Sequence, residues 1–355
     1  MKRIAAMAAV VVALAGCGSA AGSASRPVVI APLTTSMSTA GATWAVVVMG
    51  GSAASENNFW QLFVRTSARW SLVTPPGVAD NGGLVAAGGS SLLVGFRPSQ
   101  GLAFSPLATT ADHGTKWTPA LLNATLADVP DALAVAPDGG RTLALLDTKT
   151  MEQASPAATG WSVLSRVASV AASPAGKSCG LSAITAVSFT PSGVPLAGGA
   201  CDRAGAASVF SYSGGTWHAA GPALPGRTVQ VLRLTATSTG NAALLLSGTS
   251  LYAAWTSGAR WTVSAPLTAS LSSAAFGPGG SVGVLLSGGR VATISGPGAA
   301  WTLLPKAPAG SAVLALDPLQ ALSVSGGSKL TVWRLAGTWT KEQVIKVPIG
   351  YGTSS

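Results

Sequence analysis

The sequence predicts an all-β chain built from a sevenfold repeat of four short antiparallel strands. Three observations predict it. Tryptophan returns at a near-regular interval, in "ARWSLVTPP" (Trp70), "TKWTPALL" (Trp117), "TGWSVLSR" (Trp161), "GTWHAAGPAL" (Trp217), "ARWTVSAPL" (Trp261), "AAWTLLPKAP" (Trp301) and "GTWTKEQV" (Trp339). Between tryptophans, short Val/Leu/Ala/Ser runs alternate with Gly, Pro, Asp and Ser turn signals. The composition disfavours helices: of 355 residues, 48% are hydrophobic and 9% charged, with 44 Gly and 22 Pro, leaving too little charge to solvate helical faces.

The spacings between these tryptophans are 47, 44, 56, 44, 40 and 38 residues, the length of one blade of a β-propeller. The expected architecture is a seven-bladed β-propeller of four-stranded antiparallel blades over residues 33–347, with a tail at 348–355. "APLTTS" at 31–36 echoes "APLTAS" at 265–270, which directly follows the Trp261 strand. That echo places the innermost strand of the first blade at 33–41, followed by "TWAVVVMGG" and "FWQLFVRT". The third unit divides as "ALAVAPDGG", "RTLALLDTK" and "GWSVLS", the fourth as "ITAVSFTPSG", "VPLAGGAC", "SVFSYSGG" and "TWHAAG". The fifth divides as "VLRLTATSTG", "NAALLLSG", "SLYAAWTSG" and "ARWTVS". In the sixth, 271–276, "SVGVLLS", "RVATIS" and "WTLLP" are separated by "GPGG", "GG" and "GPGAA". No stretch after Cys17 keeps an i, i+3, i+4, i+7 pattern free of Gly or Pro, so no helix is predicted.

Ahead of the repeat, "MKRIAAMAAVVVALAGCGSA" opens with Lys2 and Arg3 and an apolar run from Ile4 to Leu14. Eleven residues are too few for a span, which needs about 20, and the layout is that of a secretory signal. Leu14-Ala15-Gly16-Cys17 resembles the lipobox of bacterial lipoproteins. The resemblance implies cleavage before Cys17 and acylation of Cys17, with 1–16 as signal peptide and 17–32 as a lipid-anchored tether of small residues. The expected location is the cell membrane, lipid-anchored and facing outside the cytoplasm. Two cysteines remain, Cys179 and Cys201, and an exported domain is expected to join them in a disulfide.

"TADHGTKW" carries Thr110, Asp112, Gly114 and Trp117 in the form S/T-x-D-x-G-x-x-W, which resembles the Asp-box of sialidase-like and related β-propellers. Within such a turn the Asp112 carboxylate is expected to accept backbone N–H bonds and Gly114 to supply a left-handed conformation. Three other units keep only the glycine three residues before Trp, at Gly214, Gly258 and Gly298. This makes Asp112 a structural residue rather than the partner of His113 in an acid–base pair.

In a propeller the hairpins joining first to second and third to fourth strands share one face, and the other connections form the opposite face. Asp112, Asp138 and Asp317 map to the hairpin face. Glu56, Asp80, Asp128, Asp131, Asp147, Glu152 and Asp202 map to the opposite face, with Lys149, Arg203 and Arg227. These polar residues are the candidate ligand-face set, although loops also carry soluble residues for solubility alone. Both cysteines fall at the open end of the first hairpin of the fourth blade, which turns near Ser192. Register would place Cys201 opposite residue 183, so Cys179 needs a bulge or bend to reach it.

The net charge of +10 suits anionic partners such as phospholipid head groups or acidic wall polymers, and it equally serves solubility. The basic residues are scattered and no recognition motif appears, so nucleic acid is not an expected partner. The expected function is a non-catalytic binding scaffold at the cell envelope, a monomer tied to the bilayer through Cys17 and holding an envelope protein or polysaccharide. The alternative is a glycoside hydrolase of sialidase-like type, which would use an arginine cluster and a tyrosine nucleophile paired with an acid. Tyr212 and Tyr252 fall on blade strands, Tyr351 falls in the tail, and no arginine triad can be assigned. His113 and His218 flank repeat tryptophans without metal-ligand spacing, and no phosphate loop is present, so neither metal nor cofactor is expected.

Overall fold

The computed structural model describes residues 35–39, 41–50, 58–75, 83–88, 91–96, 107–120, 130–154 and 160–348. Cys17, Glu56, Asp80, Asp128, Tyr351, the signal and tether segments and residues 349–355 lie outside the described residues. Strands pair antiparallel in consecutive runs of four. Run one is β1–β4 (Thr35–Thr39, Ala42–Gly50, Asn58–Thr66, Arg69–Leu72). Run two is β5–β8 (Gly83–Gly88, Ser91–Phe96, Leu107–Thr110, Thr118–Ala120). Run three is β9–β12 (Ala132–Val135, Thr142–Leu146, Thr150–Ala154, Trp161–Arg166). Run four is β13–β16 (Leu181–Phe189, Pro195–Cys201, Val209–Ser213, Thr216–Gly221). Run five is β17–β20 (Val229–Ala236, Asn241–Ser247, Ser250–Ser257, Arg260–Val263), with the two-residue β21 (Leu267–Thr268) added beside β19. Run six is β22–β25 (Leu271–Phe276, Val282–Leu286, Val291–Ile294, Thr302–Leu304). Run seven is β26–β29 (Ser311–Ala315, Gln320–Ser325, Lys329–Ala336, Thr338–Lys346).

Two further pairings merge these runs into larger sheets. β1 pairs in parallel with β22 (Ser36↔Ala275, Met37↔Phe276), and β14 pairs with β17 (Ala200↔Gln230, Cys201↔Val229). The result is one eight-stranded sheet, one nine-stranded sheet and three of four strands.

Burial explains why the strand patterns differ within a run. The second strands β10, β14 and β23 are buried at every position, and "TLALL", "PLAGGAC" and "VGVLL" accordingly hold no charge. A strand covered on both faces reads as a continuous apolar segment. The fourth strands β16, β20 and β29 instead alternate with exposed residues, as one-sided strands do.

Between runs the second strands are sealed by apolar clusters. Trp44, Val46, Leu62 and Val64 of run one face Leu92 and Val94 of run two. Leu143, Leu145 and Met151 of run three face Ile184, Val187 and Phe210 of run four. The series includes Val313, Leu322, Leu330 and Val332 of run seven against Ala45, Val47, Met49 and Phe63 of run one. Seven such clusters occur among the described residues, and each holds one repeat tryptophan or has it packed against its edge. Five of these indoles also donate their N–H to the preceding run, where the open carbonyl or side-chain acceptor lies. Trp217 reaches Ser165 Oγ (3.1 Å), Trp261 the Ala220 carbonyl (2.6 Å) and Trp301 the Ala265 carbonyl (3.1 Å). Trp339 reaches the Pro305 carbonyl (3.1 Å), and Trp70 reaches Gln320 Oε1 of run seven (3.0 Å).

The contact between runs seven and one also carries a buried polar cluster. The Arg65 guanidinium donates to Gln320 Oε1 (2.6 Å), Thr43 Oγ1 (2.9 Å) and the carbonyls of Leu316 (3.2 Å) and Asp317 (2.7 Å). It also lies over the Trp70 ring at 5.6 Å. Gln320 in turn donates to Glu342 Oε2, and Gln343 exchanges two bonds with the Trp70 backbone. Burial lowers the Arg65 pKa from its ordinary value, with Glu342 and Asp317 opposing that shift.

The absence of helix expected from the sequence is corrected between runs three and four. α1 (Val167–Ala172) and α2 (Pro174–Cys179) form a short helical pair there, and residues 287–289 form one 3-10 turn. Six residues are too few to display a helical period. Ser173 caps α2 by accepting from the Gly176 N–H (3.0 Å), and Gly180 ends it in a left-handed conformation. The pair accounts for the 56-residue interval, which comes from an inserted corner rather than a longer sheet.

Candidate functional site

The Thr110–Trp117 turn joins β7 to β8 and is held by its own side chains. Asp112 Oδ1 accepts from the Lys116 N–H (2.8 Å) and the Thr110 hydroxyl (2.8 Å), while Thr110 Oγ1 accepts from the Gly114 N–H (3.0 Å). The Lys116 N–H, then the Thr110 hydroxyl, hold the Asp112 carboxyl below its ordinary pKa. Gly114 has φ +85°, and a Cβ there would lie 2.7 Å from Val73 Cβ of run one. His113 is also left-handed, and its ring stacks on Trp44 at 6.3 Å. Asp112 and His113 stand together in the turn, and the imidazole packs on the neighbouring run.

The described ligand-face candidates other than Glu152 fall at two ends of the helical pair. At the first end, the β10–β11 turn places Asp147 (φ +50°) and Thr148 (φ +53°) in left-handed backbone. Left-handed backbone is costly for a β-branched threonine, and the Asp131 carboxylate compensates by accepting the Thr148 N–H at 2.6 Å. Lys149 follows, and its carbonyl accepts from the Val167 N–H (2.8 Å) where α1 begins.

At the second end, α2 closes on a disulfide between Cys179 and Cys201, whose Cα atoms are 5.1 Å apart. Cys179 therefore sits at a helix terminus rather than on the expected hairpin strand. Leu181 stands opposite Cys201, with register shifts between Leu181 and Ala183 and again between Ile184 and Ala186. The Arg203 N–H donates to the Cys179 carbonyl (3.0 Å) and the Asp202 N–H to the Gly180 carbonyl (3.2 Å). Asp202 Oδ1 accepts from Ser182 (3.3 Å), and the Arg227 carbonyl accepts from the Gly205 N–H (2.9 Å).

Five exposed basic residues surround this corner: Lys149, Arg166, Lys177, Arg203 and Arg227, against exposed Asp147 and Asp202. Arg166, at the end of β12, and Lys177, in α2, are additions to the sequence-based set, which sorted acids and overlooked the cations beside and on the inserted helices. An excess of cations on a rim stapled by a disulfide suits recognition of an acidic surface.

Glu152 departs from its expected place. It lies within β11, only 8% exposed, and its Oε2 has no hydrogen-bond partner. Burial raises its carboxyl pKa above the ordinary value. Its strand neighbours Ala144 and Ala154 belong to the cluster between runs two and three, so it is an interior residue and not part of the loop face. Tyr252 is buried in β19, and Tyr212 in β15 packs on Trp217 at 5.1 Å.

No protein-family model matches the sequence, and no curated protein matches it. Among solved structures, the β-propeller domain of Cps50 (Swd1) from Myceliophteria thermophila is similar, with TM-score 0.58 and 12% identity over 86% of this chain and 98% of that one. A protein from Lactobacillus plantarum is similar at TM-score 0.56 and 12% identity, over 86% of this chain and 97% of that one. At that identity the likeness concerns the fold alone: the chain is an all-β protein of propeller-like architecture.

Proposed function

We propose that the chain is a membrane-anchored, extracytoplasmic lipoprotein whose seven-bladed β-propeller is a non-catalytic binding scaffold at the cell envelope. The apolar cluster and Arg65 seam between runs seven and one support closure of seven runs into a ring. The lipobox-like segment at Cys17 supports the anchor, and the Cys179–Cys201 disulfide supports folding in an oxidising compartment. The Thr110–Trp117 hydrogen bonds support an Asp-box in a structural role.

The observation that carries the binding reading is the helical corner, whose two ends carry five exposed cations, with Lys177 and Arg203 beside the disulfide. Its partner is an acidic envelope polysaccharide or the acidic face of an envelope protein. The double charge reversal Lys177→Glu/Arg203→Glu should abolish retention of the chain on isolated envelopes, and retention by the wild type should fall steeply with salt. Equal retention of both proteins at every salt concentration would remove this corner from the function. Cys17→Ser should move the chain from the membrane fraction to the soluble fraction. Glu152 is the one observation favouring a glycoside hydrolase, because a general acid needs a carboxyl held above its ordinary pKa. Turnover of chromogenic glycosides that is lost in Glu152→Gln or Asp131→Asn would replace the scaffold reading.

A further inference from the structure

Innermost strands line a partly open cavity of about 70 Å³. Its wall includes Met37 of β1, Asp131 before β9, Thr185 of β13, Arg233 of β17 and Phe276 of β22. Arg233 is the unusual member. The register of β17 shifts between Val231 and Arg233, and such a bulge re-aims the side chain that follows it.

A guanidinium carries five N–H donors. Arg233 places one of them on the Leu232 carbonyl at 3.0 Å, and no described carboxylate forms an ion pair with it. Burial alone lowers its pKa to about 10, with no neighbouring charge contributing. Arg65 provides the contrast: buried more completely by surface exposure, it has four hydrogen-bond acceptors and two acids acting on it. Half-buried in the cavity wall with one acceptor for five donors, the Arg233 guanidinium is left with donors to offer an anion.

The surrounding groups narrow what that could be. The Thr185 hydroxyl already donates to the Val231 carbonyl (2.6 Å), the Ser36 and Thr235 hydroxyls to those of Leu314 and Ala236, and the Asp131 carboxylate accepts from Thr148, so among the described lining side chains Arg233 has the donors left to the cavity. The space holds a few waters, or a carboxylate with a short tail, rather than a sugar or a nucleotide. A fork of parallel N–H groups matches a carboxylate in two-point geometry.

We propose that this cavity is a binding site for a small carboxylate-bearing molecule, held by the Arg233 side chain. The site lies among the inner strands and does not depend on the envelope reading. Acetate is the probe. Thermal unfolding of the full chain in sodium acetate, against sodium chloride at equal ionic strength, should show a saturable rise in Tm of a few degrees near 100-fold excess over Kd. Arg233→Met should show no acetate-specific rise, and Arg233→Lys, which keeps the charge but loses the fork, should need at least about tenfold more acetate.

An equal rise in wild type and variants, or none in the wild type, would overturn the proposal. So would a rise with phosphate at equal ionic strength but not with acetate. If the variants fail to fold by far-UV circular dichroism, saturable line broadening of ¹³C-acetate by the wild type supports the site, and unbroadened lines refute it.

Discussion

At the scale of single residues, two carboxyl groups mark opposite relations between charge and fold. Asp112 is ionised in the folded turn because the Lys116 N–H and the Thr110 hydroxyl point at it, so its folded pKa lies below its unfolded one. Its contribution is therefore complete above about pH 4 and is lost as pH falls through the folded pKa. Asp112→Asn should lower the urea midpoint at pH 7, and the gap to wild type should close in acid. Glu152 has the reverse sign: burial raises its pKa, so its ionised form opposes folding at neutral pH. Glu152→Met should stabilise the chain at pH 7 by about 1–3 kcal/mol, an advantage that shrinks as pH falls and ends only well below the ordinary glutamate pKa of about 4.3, where the carboxyl is neutral in both states. The form of the Asp112 turn is legible in the sequence, because Thr110, Asp112 and Gly114 act within four residues of one another. The inward aim of Glu152 is not, since a single glutamate in an otherwise strand-like segment looks the same facing a loop or a core.

Among the elements, the fourth strands owe their regularity to a bond formed outside themselves. Trp217 donates to Ser165 of the preceding run, as Trp261, Trp301, Trp339 and Trp70 donate to theirs. Trp217→Phe keeps most of the buried ring and should cost about 1 kcal/mol, whereas Trp217→Ala should cost about 3–5 kcal/mol, both measured by urea denaturation. The tryptophan period was readable because each indole occupies one place in the repeat. Its acceptor was not, because three of the five are backbone carbonyls that carry no sequence signature. The helical pair escaped for a related reason. Its two helices are six residues each and are set by Ser173 and Gly180, local devices too short to disturb an apolar period.

For the whole molecule, what matters is how the two ends of the repeat meet. Arg65 reaches partners about 250 positions away in sequence, a coincidence that spacing and composition do not encode. Arg65→Ala would leave the Leu316 and Asp317 carbonyls without this donor and Gln320 Oε1 with Trp70 alone, and should cost about 1–3 kcal/mol, read as a lower urea midpoint. Every run is one consecutive set of strands, including those on either side of this seam, and no described strand is shared across it. The order in which the runs are synthesised is then separable from the shape they form. The link from Gly221 to Val229 spans residues 222–228 and joins a fourth strand to a first strand, as a connection from Lys346 to Thr35 would. A gene opened within 222–228 and spliced from 346 to 35 through a linker of similar length should encode a protein with the same circular dichroism spectrum and the same Trp70–Gln320 contact. The place where the polypeptide starts would then be an accident of its gene, and the molecule itself would have no first run.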